Sequence, residues 1–136
     1  MPGPTDPGAT ALAGALILAV EDDFLVLLEI ATVLRDAGAV VISCTTVEQA
    51  LRAIDAQLPA AAVLDVRIGR DTIAPVARRL AEFDTPFIFY TGQVTAEPPM
   101  AQWPHARMVP KPAPAAVLVK AVAELLAFAQ PRAHDR

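Results

Sequence analysis

Read for hydrophobic and polar positions alone, the chain alternates between two periods. Ala15 to Val20 is a continuous apolar run that stops at three acids, Glu21-Asp22-Asp23, and reads as a strand buried on both faces. Phe24, Leu27, Leu28, Ala31 and Leu34 then recur at helical spacing until Gly38. Val40 to Ser43 predicts a second strand. Thr45-Thr46-Val47-Glu48 has the spacing of a capping box between Thr45 and Glu48, opening a helix to about Gln57. Ala61 to Leu64 predicts a third strand ending at Asp65. Thr72 to Glu82 predicts a helix, with Pro75 tolerable only in its first turn. Phe87 to Tyr90 and Ala106 to Val109 predict the last two strands, which end at Thr91-Gly92 and Lys111. Pro114 to Phe128 predicts a closing helix. Between them, Gln93 to Pro104 carries Pro98, Pro99 and Pro104, so a helix there is expected to be short or irregular.

Five strands alternating with helices predict an α/β fold: a doubly wound, five-stranded parallel sheet covered on both faces. The organisation expected is a flexible leader over residues 1–14, rich in Pro and Gly, one domain over 15–129 and a disordered tail over 130–136. The apolar run Ala11 to Val20 is too short to span a bilayer and has no basic leader, which argues for a cytoplasmic protein and against membrane association.

Composition narrows the function. Of the 136 residues, 54% are hydrophobic and 19% charged, as in a globular domain. The net charge of −4 and the scattered basic residues argue against nucleic acid as a partner. The single cysteine, Cys44, excludes an internal disulfide and reads as a buried thiol.

In a doubly wound sheet, ligands gather outside the carboxyl ends of the strands. Those ends carry Glu21, Asp22 and Asp23, then Asp65, Thr91 and Lys111. Carboxylates crowded together repel, and a hard divalent cation such as Mg²⁺ relieves that repulsion. An Asp carboxylate is a competent nucleophile for phosphoryl groups, and Lys111 and Thr91 would pair with and hydrogen-bond to the phosphoryl oxygens. Each residue alone has an ordinary explanation: Asp23 as a helix cap, Asp65 and Thr91-Gly92 as turns, Lys111 as a solvated lysine. Their ordered combination is harder to obtain from turn chemistry.

That ordered set resembles the response-regulator receiver family. Leu18-Ala19-Val20-Glu21-Asp22-Asp23 is similar to the family's first strand and acidic pair, and Ala62-Val63-Leu64-Asp65 to the strand carrying its phosphoacceptor. Phe89-Tyr90-Thr91-Gly92 is similar to the switch-hydroxyl segment and Lys111-Pro112 to the Lys-Pro pair. The resemblance implies that Asp65 is the phosphoacceptor and that Asp22, Asp65 and the backbone carbonyl of Arg67 ligate Mg²⁺, with Glu21 assisting. It also implies a cis bond before Pro112, a phosphoryl-lifetime role for Arg67 and Gln93, and an aromatic switch position occupied here by Met108. Arg67 reads equally well as a surface residue.

The stretch after Asp65, Val66-Arg67-Ile68-Gly69-Arg70-Asp71, departs from the usual pattern and resembles a divergent subgroup with a Phe-X-Thr-Gly fourth strand. The function implied is a bacterial two-component phosphorelay switch that is not an enzyme with a separate substrate. Its partners would be a sensor histidine kinase or histidine phosphotransfer protein and an unidentified downstream protein. Surplus apolar residues on the closing helix hint at a homodimer, and Trp103 reads as a core lid or a partner contact. The alternative is a receiver-like dimerisation or binding module that works without phosphorylation. A phosphatase would need a different acid pair after the first strand. A nuclease would need a second acid at Arg67, and a nucleotide-binding site a Gly-rich loop. A histidine phosphotransfer protein would present a helical histidine, whereas His105 adjoins Pro104 and His134 lies in the tail.

Overall fold

The computed structural model describes residues 10–92 and 102–134, with 128–134 described for their backbone only. The elements run β1 (Leu16–Val20), α1 (Phe24–Asp36), β2 (Val40–Cys44), α2 (Val47–Ala56), β3 (Ala61–Leu64), β4 (Arg67–Ile68), β5 (Asp71–Thr72), α3 (Ala74–Glu82), β6 (Phe87–Thr91), β7 (Arg107–Pro110) and α4 (Ala115–His134). Five strands form a parallel sheet in the order β2-β1-β3-β6-β7, as the alternating periods predict. The segment expected to hold an irregular helix falls largely outside the described residues.

Strand alternation divides the core in two. Ile17, Ala19, Val63, Ile88 and Tyr90 face α1 and α4, meeting Leu27, Ile30, Leu34, Leu118 and Val122. Leu18, Val20, Leu64, Phe87 and Phe89 face α2 and α3, meeting Ala50, Ile54, Val76, Ala77 and Leu80. Both faces are covered, which is why β1, β3 and β6 read as uninterrupted apolar runs. Trp103 packs edge-on against Phe87, centroids 6.1 Å apart, which supports the lid reading. In α4, Val119, Ala123, Leu125 and Leu126 lie against the chain's own core, so most of the apolar surplus that suggested a dimer face is already covered.

Several boundaries differ from expectation. The residues before β1 are not all leader: Leu12 is only 1% exposed and belongs to the core. Its N–H donates to Ala37 O at 2.9 Å, and the Gly14 N–H donates to Gly38 O at 3.0 Å. They dock on the Schellman turn that ends α1, where Ala39 N–H returns to Leu34 O and Gly38 N–H to Arg35 O. Gly38 has φ +100°, and a Cβ there would lie 2.9 Å from the Ala13 Cα, so only glycine fits.

The capping box sits one residue later than expected. Thr46 is the N-cap of α2 and accepts from Gln49 N–H at 3.0 Å, while the Gln49 side chain accepts from Thr45 N–H at 2.9 Å. Glu48 instead faces Arg52 one turn on. Helix α3 begins at Ala74 rather than Thr72, because Thr72 pairs with Arg67 in a two-stranded hairpin, β4–β5, that the sequence did not suggest. At the other end, the backbone of α4 runs on to His134 where a disordered tail was expected.

Candidate functional site at the carboxyl edge of the sheet

The parallel register brings four strand ends level. Glu21 N–H donates to Cys44 O (3.0 Å), Asp65 N–H to Val20 O (3.1 Å) and Lys111 N–H to Thr91 O (3.0 Å), so each functional residue continues its strand's ladder by one step. Asp23 does what the helix-cap reading expects: its Oδ1 accepts from Leu25 N–H and Val26 N–H. That bend turns the chain into α1 directly after the acids.

Glu21, Asp22 and Asp65 each present a carboxylate oxygen within 4.8 Å of the others. Lys111 Nζ donates to Asp65 Oδ2 at 2.8 Å and also bonds Glu21 Oε1. Three further carboxylate oxygens are held too. Glu21 Oε2 accepts from Asp23 N–H at 3.0 Å, and Asp65 Oδ1 accepts from Val66 N–H at 2.7 Å. Asp22 Oδ2 accepts from Gly69 N–H at 2.8 Å, a contact across 47 residues. Thr91 closes β6, is 2% exposed, and stands beside Lys111 across the β6–β7 ladder. The Lys111–Pro112 peptide is cis.

Burial is the main force on Glu21, which is 1% exposed, and with the nearby Asp65 charge it raises the Glu21 pKa above the usual carboxylate range despite the bond from Lys111. For Lys111, burial opposes the charge, but the hydrogen bonds and charges of Asp65 and Glu21 outweigh it and the pKa is raised. One ammonium faces three carboxylates, so the cluster stays acidic. A set of hard oxygen donors with an unbalanced negative charge is compatible with a divalent cation.

Of the other residues singled out in the sequence, Arg67 is exposed and opens β4, and Gln93 lies outside the described residues. Met108 sits on β7 opposite Phe89 and is half-buried against the α2–α3 side of the core. Gly69 and Tyr90 were not anticipated. Gly69 has φ +63°, and a glycine between Ile68 and Arg70 is a turn signal; its bond to Asp22 has no local signature.

No family model matches the chain, and no curated protein does. Solved structures do. A response regulator receiver protein from Sinorhizobium medicae WSM419 superposes with TM-score 0.77 at 26% identity, over 85% of this chain and 97% of that one. The chain has the response-regulator receiver fold. A CheY-like receiver domain protein from Methanospirillum hungatei JF-1 gives TM-score 0.80 at 18% identity over 88% and 99% of the two chains. The non-phosphorylated HemR receiver domain from Leptospira biflexa gives 0.73 at 22%, over 83% and 94%. The Sinorhizobium neighbour supports a response-regulator signalling role in general, while the two more distant ones show the fold alone. Among the described residues, no helix is long and apolar enough to cross a membrane.

Proposed function

We propose that this receiver domain is a phosphorylation switch that accepts a phosphoryl group on Asp65. The observation that carries the reading is the placement of Lys111 Nζ, 2.8 Å from Asp65 Oδ2, beside an acidic cluster at the carboxyl edge of the sheet. An Asp65 carboxylate oxygen attacks phosphorus in line, and the bond from phosphorus to the donor breaks. That donor is the phosphohistidine of a sensor kinase or phosphotransfer protein, or a small molecule such as acetyl phosphate. Water later attacks the acyl phosphate and restores Asp65. Val66 N–H fixes the rotation of the carboxylate, and in this reading Lys111 and Thr91 meet the phosphoryl oxygens.

Glu21, Asp22 and Asp65, with the Arg67 carbonyl, would hold Mg²⁺, which when bound neutralises charge on the phosphoryl oxygens. Arg67 and Gln93 are assigned to tuning the lifetime of the acyl phosphate. The protein acts only on itself, in the cytoplasm, and passes the signal to a downstream protein.

The test is intact mass after incubation with Mg²⁺ and acetyl phosphate, beside Asp65→Asn. A phosphoryl adduct on the parent and none on the variant is expected. No adduct with several donors and a panel of kinases would overturn the reading and leave the phosphorylation-independent binding module.

A further inference from the structure

Tyr90 immediately precedes the switch threonine, yet it points to the opposite side of the sheet from Phe89, into the α1–α4 half of the core. It is buried, and it touches the segment Lys111-Pro112-Ala113 at both ends. The Ala113 N–H donates to the Tyr90 hydroxyl at 3.1 Å. The Lys111 Nζ stands over the Tyr90 ring, 5.7 Å from its centroid, within the range of a cation–π attraction. Any buried tyrosine needs a partner for its hydroxyl; what marks this one is that the partner lies just past the lysine while the ring lies beneath the ammonium.

Tyr90 is 5% exposed and packed in the α1–α4 half of the core. It also borders a cavity of about 290 Å³ with Glu29, Ile30, Val33, Pro112 and Leu118.

We infer that Tyr90 is a positioning residue for Lys111: its hydroxyl anchors the chain after the lysine and its ring holds the ammonium between Glu21 and Asp65. The consequence for phosphoryl transfer rests on the proposed function above. The placement of Lys111 does not.

The chain has two lysines, Lys111 and the exposed Lys120, so lysine-selective ¹³C labelling of the full chain reports both, with Lys120 as internal reference. In the parent, the Lys111 ε-methylene protons are expected upfield of those of Lys120, through the ring current of Tyr90. Tyr90→Leu should move them to the Lys120 position and slow adduct formation from acetyl phosphate by roughly 3- to 10-fold. Tyr90→Phe keeps the ring, so it should keep the upfield shift while the Ala113 amide exchanges faster.

Ile88→Val, a core truncation on the same strand, should change neither lysine signal. Unmoved Lys111 resonances in Tyr90→Leu would overturn the inference. If Tyr90→Leu does not fold, Tyr90→Phe decides: unchanged Ala113 exchange and an absent upfield shift overturn it. A parent that shows the upfield shift but never takes an adduct refutes the phosphorylation reading and leaves the positioning of Lys111 standing.

Discussion

The Gly69 N–H lies 2.8 Å from Asp22 Oδ2, joining the tip of the β4–β5 hairpin to the acidic residue that follows β1. A carboxylate has about four lone-pair sites, so this bond restricts Asp22 without exhausting it. The hairpin therefore orients a proposed metal ligand from outside the cluster. Gly69→Pro removes the donor and, because its ring fixes φ at about −65°, also undoes the φ +63° turn that aims it at Asp22. It is expected to weaken Mg²⁺ binding several-fold in calorimetric titration, since outer partners of metal ligands typically matter by about 10- to 100-fold and this one is exposed. Gly69→Ala keeps the N–H. Nothing lies within 4 Å of the added Cβ, so its cost is the strain at φ +63°, about 1–2 kcal/mol, with a smaller effect on Mg²⁺. Equal Mg²⁺ affinity in Gly69→Pro and parent would refute the orienting role.

Lys111 and Glu21 set a pH dependence. Burial raises the Glu21 pKa, and the bond and charge of Lys111, with the Asp23 N–H, oppose that rise. A group whose folded pKa is raised contributes stability that is present below its unfolded pKa and lost as pH climbs through the folded one. Lys111→Met removes the opposing cation, so the Glu21 pKa moves further up. In Mg²⁺-free buffer this variant should lose stability relative to the parent as pH rises above about 4.5, the ordinary Glu value, and through its raised folded pKa. Urea titrations at pH 5 and pH 8 check this, and a constant difference between the two proteins would refute it. The raised pKa of Lys111 adds a second dependence in the parent alone: its contribution is complete below its ordinary value of 10.5 and is lost above that as the ammonium deprotonates.

Cys44 ends β2 with its thiol buried, and burial pushes its pKa up. Neither access nor thiolate supports reaction. Iodoacetamide at pH 8 should leave the folded protein unmodified and label it completely in urea; rapid labelling of the native protein would refute the burial.

How much of this was legible in the sequence depended on the range of the physics. Strand ends could be read because a strand buried on both faces is a continuous apolar run, and the first polar residue after it is forced to the edge: Glu21 and Asp65 follow that rule, whereas Lys111 follows the edge strand β7, with its exposed Arg107 and Pro110. Helix starts were less certain. Thr45 and Thr46 are both competent caps, and only the tertiary path of the chain decides that Thr46 and Gln49 pair. The hairpin was invisible because its strands, Arg67–Ile68 and Asp71–Thr72, are too short to show a period. Contacts such as Gly69 with Asp22 or Tyr90 with Ala113 join residues that no local pattern relates.

Leu12 makes the same point with a measurable cost. The Pro- and Gly-rich start of the chain reads as a leader, and a leader residue can be truncated without penalty. Leu12 instead inserts between the end of α1 and the α1–α4 half of the core, at 1% exposure. Leu12→Ala should therefore behave as a core truncation and destabilise the protein by about 2–5 kcal/mol, read as a lower urea midpoint with unchanged slope. Ala11→Ser, one residue earlier and exposed, is the control and should shift stability by no more than about 0.5 kcal/mol. If the two variants are alike, the residues before β1 do not belong to the folded unit. If they differ as expected, the domain begins at the turn before β1, and any truncation that removes Leu12 removes part of the core that supports β1 and, through it, Glu21 and Asp22.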